Sequence, residues 1–209
     1  MAKNPGDLRI VKTDKAIEEA FFALMDQMSY DKLTVKDICS AAMVGTATFY
    51  SHYSDKNALA KHLARKFLAE LRSAILWNLS MMDSGLSVDE AWSRLASVRT
   101  GLYMKRRVLS GISISGYDFR AEMLAMFREL IVDRNPNEDL PEEEYARQSV
   151  IAARLLYDYY SYVEETDDFL PLTDYLAKGM NILEGYRGGA RVAAEEENAP
   201  DHVDTYFIE

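Results

Sequence analysis

Residues 34–56 read TVKDICSAAMVGTATFYSHYSDK. Two short segments with apolar stripes flank a break at Met43-Val44, and a third segment opens after Ser54-Asp55. The first predicts a helix beginning at Thr34. A threonine oxygen accepts an unpaired first-turn N–H, and Asp37, three residues on, makes a variant of the capping box. Its stripe is Val35, Ile38, Cys39 and Ala42. The second, over residues 45–51, has two unlike faces. Val44, Phe49 and Tyr53 can face a core, while Thr46, Ala47, Tyr50 and Ser51 face outward. Two short helices across a tight turn, then a capped longer one, make a helix-turn-helix. Small or polar outward residues are what a recognition helix needs if its backbone is to enter the major groove. Thr48 lies between the two faces, within reach of a phosphate.

Working outward, the periodicity stays helical. Upstream, Ile17, Ala20, Phe21, Leu24, Met25 and Met28 repeat at helical spacing. Thr13 or Asp14 is the expected cap, and residues 1–11 show no sustained pattern. Downstream, Leu59, Leu63, Phe67, Leu71, Ile75 and Leu79 predict a long helix capped by Ser54 or Asp55. Ser87, with Asp89 and Glu90 following, predicts another start, and Gly101 is expected to interrupt that helix. SGISISGY over residues 110–117 reads as a loop, and residues 118–134 as a helix. Pro141 before three glutamates opens a helix to about Glu165, and Pro171 opens the last, which ends near residues 185–189. No run reads as a strand. The expected architecture is all-α, with an N-terminal three-helix head joined by a long helix to a C-terminal bundle. The expected divisions are 1–56, 57–189 and an acidic tail over 190–209.

Composition narrows the function. The formal net charge of −10 argues against whole-surface binding to nucleic acid or anionic membrane. The charge is uneven, since residues 1–72 hold 11 Lys+Arg against 9 Asp+Glu and the remainder is strongly acidic. A polyanion can therefore be approached by one end. No apolar run is long enough to span a membrane, and the N-terminus lacks the apolar segment of a secretory signal. One cysteine excludes an intrachain disulfide framework, and a cytoplasmic location is expected. His52, His62 and His202 are not spaced as metal ligands, and no catalytic constellation or phosphate loop occurs. No metal, cofactor or enzymatic activity is expected. Cys39 reads as a buried small hydrophobe.

Residues 34–56 closely resemble the DNA-binding domain of TetR-type transcriptional regulators. The match rests on Thr34-Val35, Asp37-Ile38, Ala42-Met43-Val44, Thr48-Phe49-Tyr50, His52-Tyr53 and Lys56. It departs at Met43 and Ala47, where the family commonly has Gly, and at Gly45, where Ser is usual. The resemblance implies an operator-binding repressor, released by a small-molecule effector and acting as a homodimer. Thr34, Lys36, Gly45, Thr46, Ala47, Thr48, Tyr50, His52 and Lys56 are then the expected DNA-binding residues. Tyr50 and His52 would meet the phosphate backbone, against an ordinary surface tyrosine and a packing histidine. Lys56 opposes the dipole of the helix it begins, which suggests a phosphate partner. Thr34 can cap its helix while offering phosphate a backbone N–H.

The rest of the chain is less specific. Trp92, Tyr103, Met104, Tyr117, Phe127 and Tyr157 are candidate effector-pocket residues, or simply core. The helix over 141–165 carries two apolar stripes, so it is expected to pack on its own bundle and on a second subunit. The candidate dimer interface is Tyr160, Tyr175, Leu176, Gly179, Met180 and Leu183. The rival to a regulator is an interaction protein of the same build that has lost DNA binding.

Overall fold

The structure, a computed structural model, describes residues 5–87, 90, 96–133, 140–166 and 174–181. They are helical throughout, joined by turns. The helices are α1 (Pro5–Met25), α2 (Val35–Ala41), α3 (Thr46–His52), α4 (Lys56–Asp83), α5 (Ala96–Ser110), α6 (Phe119–Asp133) and α7 (Glu142–Thr166). Residues 174–181 form a further helical segment. The chain divides into two compact units, Met1–Asp167 and Asp168–Glu209. No strand occurs among the described residues; Ile114 and Tyr117 make one isolated bridge.

Caps set most boundaries. Thr34 and Asp37 form the reciprocal capping box of α2. Asp55 accepts from the Ala58 N–H at 2.8 Å and starts α4. Asp118 accepts from the Ala121 N–H at 2.9 Å and starts α6. Ser87 and Glu90 bond reciprocally, as a capping box requires. Two expectations are corrected. α1 begins at Pro5, two turns before Thr13, so Asp14 is inside a helix and not at its cap. Gly101 lies within continuous α5, where glycine costs about 1 kcal/mol relative to alanine.

Within the first unit the apolar stripes meet in one cluster. Ile17 and Phe21 of α1, Ile38 of α2, Phe49 of α3 and Leu59 of α4 are fully buried around the head. Phe67 and Leu71 continue the stripe of α4 toward Leu109, Phe119, Met123 and Phe127. The 110–117 loop is anchored by the buried side chain of Ile114. Its turn closes with the Tyr117 N–H on the Ile114 carbonyl, and Gly116 takes φ +66. No helix among the described residues is long and apolar enough to cross a membrane.

Candidate nucleic-acid interface

The turn between α2 and α3 is tight because Val44 N–H reaches back to the Cys39 carbonyl at 3.0 Å. Met43 supplies the left-handed residue at φ 53, a conformation that costs a side-chain-bearing residue about 1–2 kcal/mol. Its side chain is 92% exposed, so no packing offsets that strain. Gly45 caps α3 in extended conformation without a side-chain bond. From there the two faces separate as the sequence predicts. Phe49 is buried and Tyr53 nearly so, whereas Gly45, Thr46, Ala47, Thr48, Tyr50 and Ser51 are exposed. Ser51 donates to the Thr48 carbonyl at 2.7 Å. Tyr50 stands 57% exposed with its ring edge-on to Phe49.

Three other expected contacts are already engaged within the protein. Thr34 directs its N–H and its hydroxyl to the Asp37 carboxylate, at 3.0 and 2.6 Å. Those donors hold Asp37 below the usual carboxylate range, and the N–H expected to meet phosphate is occupied. Lys56 is engaged more fully. Its ammonium donates to the carbonyls of Tyr30 at 2.8 Å, Leu33 at 3.0 Å and Asp31 at 3.3 Å. It also sits 4.6 Å above the Tyr30 ring. The cation that opposes the α4 dipole is therefore a clip on the loop between α1 and α2, with its three N–H donors facing three carbonyls. Burial first, and Asp55 and Asp31 next, push the Tyr30 phenol up to about 12. Lys36 remains exposed on α2.

His52 is the third. Its Nδ1 lies 2.6 Å from the Asp14 carboxylate on α1, and its side chain is 14% exposed. The Tyr53 hydroxyl donates to the same carboxylate oxygen at 3.2 Å. Burial, then Asp14, raises the Tyr53 phenol. The sequence offers Thr13 or Asp14 as a cap, which leaves no long-range role visible for Asp14. The seven-residue step from Ile17 back to Ile10 is the one apolar signal that extends the helix past Asp14, and Ile10 is 53% exposed in the structure.

The pocket candidates scatter. Phe127 is fully buried and stacks on Tyr160 at 5.6 Å, so it is core. Tyr160 is an expected dimer residue. Its ring is half-buried in its own bundle and its carbonyl accepts from Arg106 at 3.2 Å. Tyr157 is held between the guanidiniums of Arg106 at 5.2 Å and Arg120 at 5.0 Å. Tyr117 lies beneath Lys61 and Arg65, and Tyr103 is half-buried. Met104 is 43% exposed and opens onto a cleft of about 720 Å³ between α1, α4 and α5. Val11, Phe22 and Val108 line that cleft beside Asp14, Glu18, Lys66 and Lys105. Trp92 and Leu183 lie outside the described residues. In the second unit Tyr175 and Leu176 are half-buried, and Gly179 and Met180 are exposed. No three His, Cys, Asp or Glu side chains gather to hold a metal among the described residues.

A buried aromatic on one face of α3, small polar residues on the other and a tight turn from α2 define a helix-turn-helix module. Residues 17–63 match the family described as bacterial regulatory proteins, tetR family. The match covers the head alone, and the family's description is of regulatory proteins. The chain is also similar to an uncharacterized HTH-type transcriptional regulator, YxbF, of Bacillus subtilis (strain 168), with 29% identity over 97 residues. That stretch spans 46% of this chain and 25% of the relative's length. A solved gamma-butyrolactone receptor (ArpA-like protein) aligns with 85% of this chain and 99% of its own, at a TM-score of 0.44 and 18% identity.

Proposed function

We propose that this chain is a homodimeric transcriptional regulator that reads an operator with α3 and represses until a small-molecule effector releases it. The carrying observation is the face of α3, where Thr46, Ala47, Thr48, Tyr50 and Ser51 stand exposed above buried Phe49. Thr46 and Ala47 are small enough for close approach to base edges. Tyr50 offers a hydroxyl to phosphate, which positions without specifying sequence.

Dimerisation is supported by α7. Ile151 is 60% and Leu155 42% exposed, one turn apart, while Ala153 and Val163 face the bundle. Ile151 and Leu155 belong to one of the two stripes expected from the sequence, and the next member of that stripe, Tyr159, is buried. A two-fold dimer would set two α3 helices about 34–36 Å apart, on successive major grooves. Effector control is supported by the cleft at Met104, whose volume of about 720 Å³ falls within the ~300–1,000 Å³ usual for ligand sites. A gel shift on DNA flanking the protein's own gene tests the reading. A salt-sensitive, sequence-selective complex supports it. A protein that binds no duplex at low salt would instead be an interaction protein, a reading that the engagement of Lys56 and Thr34 within the head favours.

A further inference from the structure

α3 has seven residues, fewer than two turns, so its direction depends on what its side chains grip. Phe49 fixes its depth in the core. Rotation about Phe49 is opposed at the C-terminal end. There His52 Nδ1 and the Tyr53 hydroxyl converge on one oxygen of Asp14, at 2.6 and 3.2 Å. Asp14 belongs to α1, 38 residues upstream, and its side chain is 40% exposed, so it adds little to the core. The neighbouring acid of α1, Glu18, is held by Lys66 and Lys105 and does not compete for His52. From α4, the His62 ring packs on Tyr53 at 5.5 Å.

We propose that Asp14 is a positioning residue for DNA reading, which sets through His52 and Tyr53 the angle at which α3 offers Thr46, Ala47 and Tyr50 to the major groove. This rests on the DNA-binding function proposed above. Thr46 lies three residues, or about 4.5 Å, from Phe49 along the helix, and a tilt of about 10° around Phe49 displaces it by roughly 0.8 Å. That exceeds the ~0.5 Å tolerance of a site that must meet base edges. Contacts to phosphate are less demanding, because charge attraction varies slowly with distance. Loss of Asp14 should therefore weaken sequence reading and spare general attraction. Removing a carboxylate also favours any polyanion, so affinity for random duplex should hold or rise.

The test begins with full-length protein and selection of a preferred site from a random duplex pool. Dissociation constants for that site and for random duplex are then measured for the wild type, Asp14→Ala, Asp14→Asn and Tyr53→Phe, with circular dichroism at the assay temperature. Asparagine keeps an oxygen that accepts from both His52 and Tyr53. The expected result is a site-to-random ratio lowered about tenfold in Asp14→Ala and restored to within about twofold in Asp14→Asn. An unchanged ratio in Asp14→Ala, or a loss as large in Asp14→Asn, overturns the proposal while leaving DNA binding intact. A wild type that selects no sequence removes the DNA-binding reading itself, and this proposal with it. Should Asp14→Ala not fold, Tyr53→Phe decides: a several-fold lower ratio supports the positioning role, and an unchanged one overturns it.

Discussion

Replacing Lys56 with methionine separates a structural clip from a phosphate contact. Methionine keeps an apolar stem over Tyr30 and removes the three donors. The structure gives three hydrogen bonds from one ammonium to the carbonyls of Tyr30, Asp31 and Leu33. Bonds involving a charged group are worth about 1.5–3 kcal/mol net when their acceptors are shielded from water. Asp31 is exposed, so its carbonyl regains water at little cost, and the Tyr30 carbonyl retains the Leu33 N–H at 3.2 Å. The loss is then nearer that of one good charged bond than of three. Against it stands relief of an unfavourable cation in the first turn of α4, worth about 0.3–1 kcal/mol. The net expectation is about 1–2 kcal/mol of stability. For a chain of this size that lowers the melting temperature by roughly 2–8 °C.

Thermal unfolding and salt-dependent DNA binding, measured together, decide the matter. As a clip, Lys56→Met lowers the melting temperature and leaves the slope of log K against log salt within about 0.3 of the wild type. As a phosphate contact, it would reduce that slope by about 0.9 and leave melting unchanged, because one neutralised phosphate accounts for that increment. The second pattern would refute the clip and show that the ammonium leaves its carbonyls for DNA.

The other expectations address separate parts of the chain. Tyr50→Phe should weaken site and random duplex alike by filter binding, whereas substitutions at Thr46 should change the sequence selected from a random pool. Met43→Gly should raise the melting temperature slightly, since relief of about 1–2 kcal/mol of left-handed strain outweighs the ~0.4–1 kcal/mol of added freedom in the unfolded chain. Leu155→Arg should convert a dimer to a monomer by light scattering, and a wild-type monomer at micromolar concentration would remove the interface. Burial raises the Glu18 carboxyl, but Lys66 and Lys105 more than offset it and hold it below the ordinary glutamate range. Its contribution is present above the ordinary glutamate range and fades as pH falls through the depressed value. Glu18→Gln should therefore lower the melting temperature most at neutral pH and least in acid.

What the sequence made legible was local. Thr34 with Asp37, Asp55, Asp118 and Pro141 mark helix starts by chemistry confined to four residues, and each lies at the start of a helix. The faces of α3 were legible because Phe49 and Tyr53 repeat at helical spacing against a polar remainder. What was not legible was long-range pairing of polar groups. Asp14 as a cap and Asp14 as a partner of His52 are the same residue in the same sequence, and only the approach of α1 to α3 distinguishes them. Lys56 misled for a related reason. Its cost to the α4 dipole correctly signals a compensating partner, but helix chemistry cannot tell a phosphate from three carbonyls of a loop 23–26 residues upstream. Phe127 and Tyr160 were ambiguous because an aromatic at helical spacing suits a pocket, a core or an interface equally.

The polar pairs that the sequence hid share one helix. On α1, Asp14 grips the end of α3, and one turn later Glu18 grips Lys66 of α4 and Lys105 of α5. Lys105 continues to Glu70 of α4 at 2.9 Å. Glu18 is 12% exposed at its side chain, so these pairs are shielded more than a surface bridge and weigh more than the ~0–1 kcal/mol of an exposed one. α1 thus works as a strut with α3 bonded at one point and α5 at the next. The cleft of about 720 Å³ is lined by both acids and by Met104, Lys105 and Val108 of α5. Anything that moves α5 relative to α4 must either break the Glu18 pairs or carry α1 with it. If α1 is carried, Asp14 moves with it and α3 turns. Under the function proposed above, an effector acting at this cleft would reach the exposed face of α3 through two carboxylates four residues apart.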